Sequence, residues 1–376
     1  IPLQGEVLEA FEYFKWQTKT YWTSYLNHKI ALGMIVLALH RFGETTPENL
    51  QKIFKEKKLK EFSDKKTSSQ IVKSLKENSI HSEELGMYWK ESWGYYWYEL
   101  PTETQSLMIE VFSEVANDKD SVSELKTWLL KNKQTNDWKT TKATTDAIYS
   151  LLLKGDDWLQ TSQSVQIEIG GKKMIPDTND IEAGTGYFKK SFSPSEINKE
   201  MAVIKLTPDP KQKAKPSYGG VYWQYFENLD KITPAETPLK LNKKVFIEEM
   251  TKTGPVIRPI DSGVKLKVGD KLKIRIELRV DREMEYVHMK DMRASALEPL
   301  NVLSQYKWQD GLGYYESTKD TATNFFFDYL PKGTYVFEYP LRVTHKGNFS
   351  NGITQIQSMY APEFASHSEG IRIQIE

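Results

Sequence analysis

The sequence predicts a multidomain chain of α and β parts, a helical half made of repeated helix pairs followed by antiparallel β-sandwich domains. Three observations carry this. The apolar period changes from about 3.6 to 2 near residue 160. The first half contains a loose internal repeat. The second half alternates apolar and polar residues in short runs divided by Gly and Pro turns.

The helical elements follow in order. In "IALGMIVLALHRFG" apolar residues fall on almost every side, which predicts a buried helix closing at Gly43. In "TPENLQKIFKEKKLKEF" Thr46 is an N-cap and Pro47 takes the first helical position. The Lys-rich run from Lys52 to Lys66 is broken by acids and reads as a solvated helix face. "PTETQSLMIEVFSEVAND" sets Leu107, Val111 and Val115 four apart on one face, and "SVSELKTWLLKNKQ" and "TKATTDAIYSLLLKG" continue the pattern. Three times a Trp precedes a short polar stretch and then an apolar helix, from Trp22, Trp97 and Trp138. Such repetition marks stacked helix pairs, either an open solenoid or a closed α/α toroid.

The β elements begin with "SVQIEIGGKK", which alternates Val165, Ile167 and Ile169 and turns at Gly170-Gly171. "MAVIKLTP" is a short strand ending at Pro208. Pro234 and Pro238 bracket a polar linker. After it, "KVGDKLKIRIELRV" turns at Gly269-Asp270 and puts Leu272, Ile274, Ile276, Leu278 and Val280 on one face, with Lys273, Arg275, Glu277 and Arg279 on the other. "NFFFDYLPKGTYVFEYPLRVTHKG" reads as a hairpin turned at Pro331-Lys332-Gly333, and the chain ends in a strand through Ile371, Ile373 and Ile375. The divisions expected are 1–160 helical, 161–235 a first β segment and 236–376 a terminal sandwich.

Composition limits the chemistry. Lys+Arg and Asp+Glu are both 51, and no basic stripe stands out, so neither nucleic acid nor an anionic membrane is an expected partner. There is no Cys, which excludes disulfides, thiol nucleophiles and Cys-ligated metal. None of the six His sits at metal-ligand spacing, and neither a phosphate-binding loop nor a Gly-x-Ser-x-Gly elbow occurs. No metal, cofactor or catalytic residue is expected. The apolar run Ile30 to Leu39 is too short to span a bilayer. The start "IPLQGEV" lacks an initiator Met and reads as a processed chain or a piece of a larger one. The densest aromatic stretch, "GMYWKESWGYYWYELPTETQS", holds Trp89, Trp93 and Trp97 with Glu84, Glu91, Glu99 and Glu103. It admits two readings: aromatic packing at the end of the helical domain, or a glycan site on a carbohydrate-active enzyme or glycan-binding protein.

The pieces together resemble the C-terminal part of bacterial alpha-2-macroglobulin-like proteins. "WLLKNKQTNDWKTTKATTDAIYSLL" is similar to late helices of the family's thioester domain, and "GGVYWQYFENLDKIT" to the segment completing its CUB-like β domain. The chain from "LEPLNVLSQYKWQDG" to "MYAPEFASHSEG" resembles the terminal macroglobulin domain, above all in Glu298-Pro299, "YVFEYPLRV" and "MYAPE". The resemblance covers essentially the whole chain. It implies part of an α/α toroid of the thioester type over 1–160, a CUB-like segment over 161–235 and a macroglobulin-type β-sandwich over 236–376. It also implies a non-enzymatic role in entrapping target proteases, in the periplasm or cell envelope, with a lipid anchor possible upstream of this chain. The family's thioester needs Cys-x-Glu-Gln. A chain without Cys cannot form it, so that motif is expected upstream or absent from the parent. In thioester-bearing relatives the terminal domain is expected to offer a Tyr to the toroid; the position carried over is Tyr360, with Met359 filling gaps and Pro362 stiffening the loop, and the other reading is that "MYAPEF" plugs the end of its own sandwich.

Overall fold

The computed structural model describes residues 4–42, 64–90, 100–153, 165–177, 181–182, 187–208, 219–260 and 264–376. Gly43, the helix expected from Thr46 and Pro47, most of the Lys-rich run, and Glu91, Trp93, Trp97 and Glu99 lie outside them. The chain divides into two compact units, one of residues 1–131 and 138–219, the other of residues 132–137 and 220–376.

The helices are α1 (Gly5–Tyr21), α2 (Lys29–Phe42), α3 (Asp64–Glu77), α4 (Pro101–Val111), α5 (Lys119–Thr135) and α6 (Thr141–Leu153), all in the first unit except the last turn of α5, from residue 132. The helices that follow the three repeat tryptophans are α2, α4 and α6, and α4 packs against both of the others. Their shared core holds Leu32, Val36, Ile71, Met108, Phe112, Leu125 and Ala147. At Gly33 an added Cβ would stand 2.8 Å from Leu107 Cδ2, so α2 and α4 approach closely there. The helix α2 buries one side only: Leu32, Val36, Leu37 and Leu39 are covered, while Met34 is exposed. An apolar surround does not make a helix central.

The face expected on α4 is also shifted. Val111 is fully buried, but Leu107 and Val115 only flank the core, which runs through Met108, Ile109 and Phe112. A π-turn, Phe112–Ala116, then interrupts the 3.6 period and shifts Val115, before Asn117 closes it at φ 50°. A hairpin of β1 (Ile80–Ser82) and β2 (Gly86–Tyr88) was not legible, because three-residue strands show no alternation. Strands β3 (Val165–Ile169), β4 (Lys172–Met174) and β5 (Ile204–Pro208) form a small antiparallel sheet in the order β4-β3-β5, turning at Gly170-Gly171 as read. Both glycines have positive φ, 57° and 75°.

The second unit is a sandwich. One sheet has the order β10-β14-β8-β6-β7, from β6 (Leu239–Thr251), β7 (Gly254–Pro259), β8 (Lys271–Val280), β10 (Leu297–Pro299) and β14 (Gly333–Val343). The other has the order β11-β12-β13-β9-β16-β17, from β9 (Met284–Met292), β11 (Gln305–Gln309), β12 (Leu312–Thr318), β13 (Ala322–Leu330), β16 (Thr354–Ser358) and β17 (Ala365–His367). A small pair, β15 (Gly347–Ser350) with β18 (Arg372–Ile375), completes it. All the named ladders are antiparallel. Strand β8 matches its expected pattern residue for residue: Leu272, Ile274, Ile276, Leu278 and Val280 are buried. Across from them, Lys273 and Arg275 pair with Glu338 of β14. The core joins both sheets, with Ile276 and Phe337 from one and Phe325, Phe327 and Met289 from the other.

The expected hairpin at Pro331-Lys332-Gly333 is corrected. The strand β13 pairs with β12 and β9, whereas β14 pairs with β8 and β10. The turn therefore carries the chain from one sheet to the other. Both strands bury large aromatics, Phe325 and Phe327 against Phe337 and Tyr339, and facing layers bury these better than one sheet would.

Candidate functional site

The residues singled out at 359–362 lie on the loop joining β16 to β17. The last paired residues before it are Gln357 and Ala365. Two main-chain bonds shape it: Ser358 N–H donates to Phe364 O at 3.0 Å, and Phe364 N–H to Ala361 O at 2.9 Å. Ala361 and Phe364 are buried in the sandwich core. The guanidinium of Arg282 stands 5.2 Å over the Phe364 ring. Pro362 and Glu363 form the exposed tip of the turn.

Met359 and Tyr360 point the other way. Met359 is 59% exposed and Tyr360 78% exposed. Met359 N–H donates to Tyr286 O at 2.9 Å. The Tyr360 ring meets the Tyr286 ring edge-on, at 5.3 Å and 84°. The loop thus has two functions by position: Ala361 and Phe364 plug its own sandwich, while Met359 and Tyr360 stand in solvent on an anchored base. Exposing two large apolar side chains on an anchored loop is a surface arrangement suited to contact. The sequence offered "MYAPEF" both as a contact through Met359, Tyr360 and Pro362 and as a plug of its own sandwich, and did not single out Tyr286.

Of the glycan candidates Trp89, Trp93 and Trp97, the described residues include Trp89. Trp89 is 6% exposed, its indole N–H donates to Leu75 O at 2.9 Å, and its ring lies 6.4 Å from Phe112. It is a core residue with its one donor satisfied. Glu103 is buried and accepts from Thr140 Oγ1, while Glu84 is exposed. Among the described residues no three His, Asp or Glu gather as a metal site, and no helix is long and apolar enough to cross a membrane.

One buried polar cluster lies inside the sandwich. Lys243 of β6 and Asp291 of β9 are both fully buried, with Lys243 Nζ 2.6 Å from Asp291 Oδ1. The same ammonium donates to Met292 O at 2.8 Å. Thr354 Oγ1 donates to Asp291 Oδ1 at 2.6 Å, and the Tyr339 hydroxyl donates to Oδ2. Burial, reinforced by the Asp291 charge, pushes the Tyr339 phenol well above its ordinary range, so it remains a donor. The cluster is closed to solvent and ties the two sheets together; its satisfied groups suit packing rather than turnover.

The comparisons follow this geometry. Residues 239–363 match the family described as the bacterial alpha-2-macroglobulin MG10 domain. An alpha-2-macroglobulin homolog from Nostoc sp. is 22% identical over 330 residues, which is 82% of this chain and 16% of that protein. This chain therefore spans under a fifth of the length of that relative. Among solved structures, trypsin-activated alpha-2-macroglobulin from Escherichia coli is 11% identical, with 73% of this chain and 18% of that chain covered, at a TM-score of 0.35. Salmonella alpha-2-macroglobulin reacted with methylamine is 14% identical, covering 91% and 22%, at 0.30.

Proposed function

We propose that this chain, which resembles bacterial alpha-2-macroglobulins and carries an MG10-type domain at 239–363, is a non-enzymatic component of a protease trap. The observation that carries the reading is that match, over the strands of the sandwich that bear the Met359–Tyr360 loop. In the trap a target protease cuts elsewhere in the protein, the domains rearrange, and the protease is enclosed without chemistry from this chain. The repeat of α2, α4 and α6 belongs to an α/α toroid of the thioester-domain type. The place of action is the periplasm or cell envelope. Without Cys, this chain contributes domain packing and no thioester of its own. The glycan-directed alternative is not favoured, because Trp89 is committed to the core.

Within that role Tyr360, backed by Met359, docks on the helical domain as a latch. What supports this is the loop's division into buried anchors and an exposed pair.

The test uses the full-length protein incubated with a broad-specificity protease. That protease is then assayed on a large protein and on a small peptide. Loss of activity on the large substrate with activity retained on the small one is expected. Equal activity on both removes the trap reading. Tyr360→Ala is expected to leave both domains folded and to speed proteolysis of the chain between them. If cleavage there is unchanged, the latch fails.

A further inference from the structure

Three non-glycine residues among those described have positive φ: Asn117 at 50°, Asp310 at 51° and Tyr286 at 53°. Asn and Asp tolerate that conformation, because their short polar side chains bond locally. Tyr does not share this tolerance, so its presence there calls for a use of the ring. The ladder between β9 and β13 pairs Glu285 with Tyr329 and Val287 with Phe327 in one unbroken register, and leaves the opposed Tyr286 and Asp328 unpaired between them. Glu285 and Val287 are both buried while Tyr286 between them is 49% exposed. No residue is inserted, so Tyr286 keeps the outward phase of the strand, which it shares with His288 and Lys290.

This outward ring meets Tyr360, and the carbonyl of the same residue accepts from Met359 N–H. One residue therefore touches the exposed pair twice, once through its backbone and once through its ring. The strand register supplies the alignment, because Ser358, at the end of β16, is paired with Val287.

We infer that Tyr286 is a positioning residue for Tyr360: its outward ring, on a residue held at positive φ, is an edge-to-face support that holds the exposed tyrosine in one orientation. The significance of that orientation rests on Tyr360 being a docking side chain; the positioning itself does not. A loop whose exposed ring is already fixed loses less freedom on contact, which favours docking.

The test uses the full chain with Tyr286→Gly, Tyr286→Phe, Tyr360→Ala and the double variant Tyr286→Gly/Tyr360→Ala. Glycine accepts the positive φ and keeps the carbonyl, so it removes the ring without burdening the fold. Two measurements are made, hydrogen exchange of the 359–361 amides and proteolysis between the two domains. An edge-to-face pair corresponds to about a two- to tenfold effect. Tyr286→Gly should raise exchange by that factor with the unfolding midpoint unchanged or higher. Tyr286→Phe should restore wild-type exchange, and the double variant should exchange no faster than Tyr360→Ala. Unchanged exchange in Tyr286→Gly, or a double variant that simply adds the two effects, overturns the inference. Faster exchange with interdomain proteolysis unchanged in Tyr286→Gly and Tyr360→Ala upholds the positioning and removes the latch.

Discussion

The buried pair Lys243–Asp291 makes a prediction whose sign is unusual. Each residue sits at a core position of an otherwise apolar strand face: Leu239, Leu241, Val245 and Ile247 accompany Lys243, and Val287 and Met289 accompany Asp291. Removing one partner of a buried pair leaves an uncompensated charge, at about 3–5 kcal/mol. Asp291→Ala also strips the acceptor from Thr354 and Tyr339, about 1 kcal/mol each. Its expected cost is therefore near the top of that range or beyond it, on the order of 5 kcal/mol. Lys243→Met leaves a carboxylate still held by two hydroxyl donors, and about 3 kcal/mol is expected. The double variant Lys243→Met/Asp291→Val buries no charge and takes the acceptor from the two hydroxyls, roughly 2 kcal/mol; the Met292 carbonyl loses its Lys243 donor here as it does in Lys243→Met.

The expected outcome is that the double variant is more stable than either single one. Guanidinium unfolding of the full chain, followed by circular dichroism, orders the four proteins. Additive losses would refute the reasoning, because they would mean that neither charge depends on the other. A loss below about 1 kcal/mol in Asp291→Ala would refute it too, since that is the scale of a surface pair and not of a desolvated one.

Two further predictions concern the helical unit. At Gly86, φ is +76° and an added Cβ would stand 2.2 Å from the backbone oxygen of Glu124. Gly86→Ala should cost on the order of 2–3 kcal/mol, read as a melting temperature lower by roughly 5–10 °C; a drop of under one degree would show that the β1–β2 hairpin yields freely. Asp118 caps α5, accepting from Ser121 N–H at 3.1 Å and from the Ser121 hydroxyl at 2.8 Å, and it pairs with Lys76. Burial alone would raise its carboxyl pKa, but hydrogen bonds from Lys76 and Ser121 outweigh that and hold it below the ordinary 3.8. A depressed folded pKa gives stability that is whole above the unfolded value and lost as pH falls through the folded one. Asp118→Ala should therefore cost about 1 kcal/mol at neutral pH, and the gap from wild type should close as pH drops below about 4. A gap that is constant from pH 7 to pH 3 would place the effect elsewhere than in the charge.

What was legible in the sequence follows from how local its cause is. The face of β8 could be read because one strand shows one buried side, and Gly170-Gly171 because a two-residue turn demands positive φ. The turn at Pro331 could not be assigned, since a hairpin and a crossing between sheets use the same turn residues; the partners of β13 and β14 are chosen by distant core aromatics. The loop at 359–364 was half legible. Its exposed Met359 and Tyr360 stood out, but their anchors depend on which core Ala361 and Phe364 enter. Tyr286 left a fainter mark. Along "EMEYVHMKDM" Met284 falls on one alternation phase, and Val287, Met289 and Asp291 on the other. Val287, Met289 and Asp291 share a buried phase with Glu285, so the alternation sets the Tyr286 ring on the outer face with His288 and Lys290. The positive φ of Tyr286 left no mark in the sequence. What it could not contain is the partner, because Tyr360 meets that ring only through the pairing of β16 with β9.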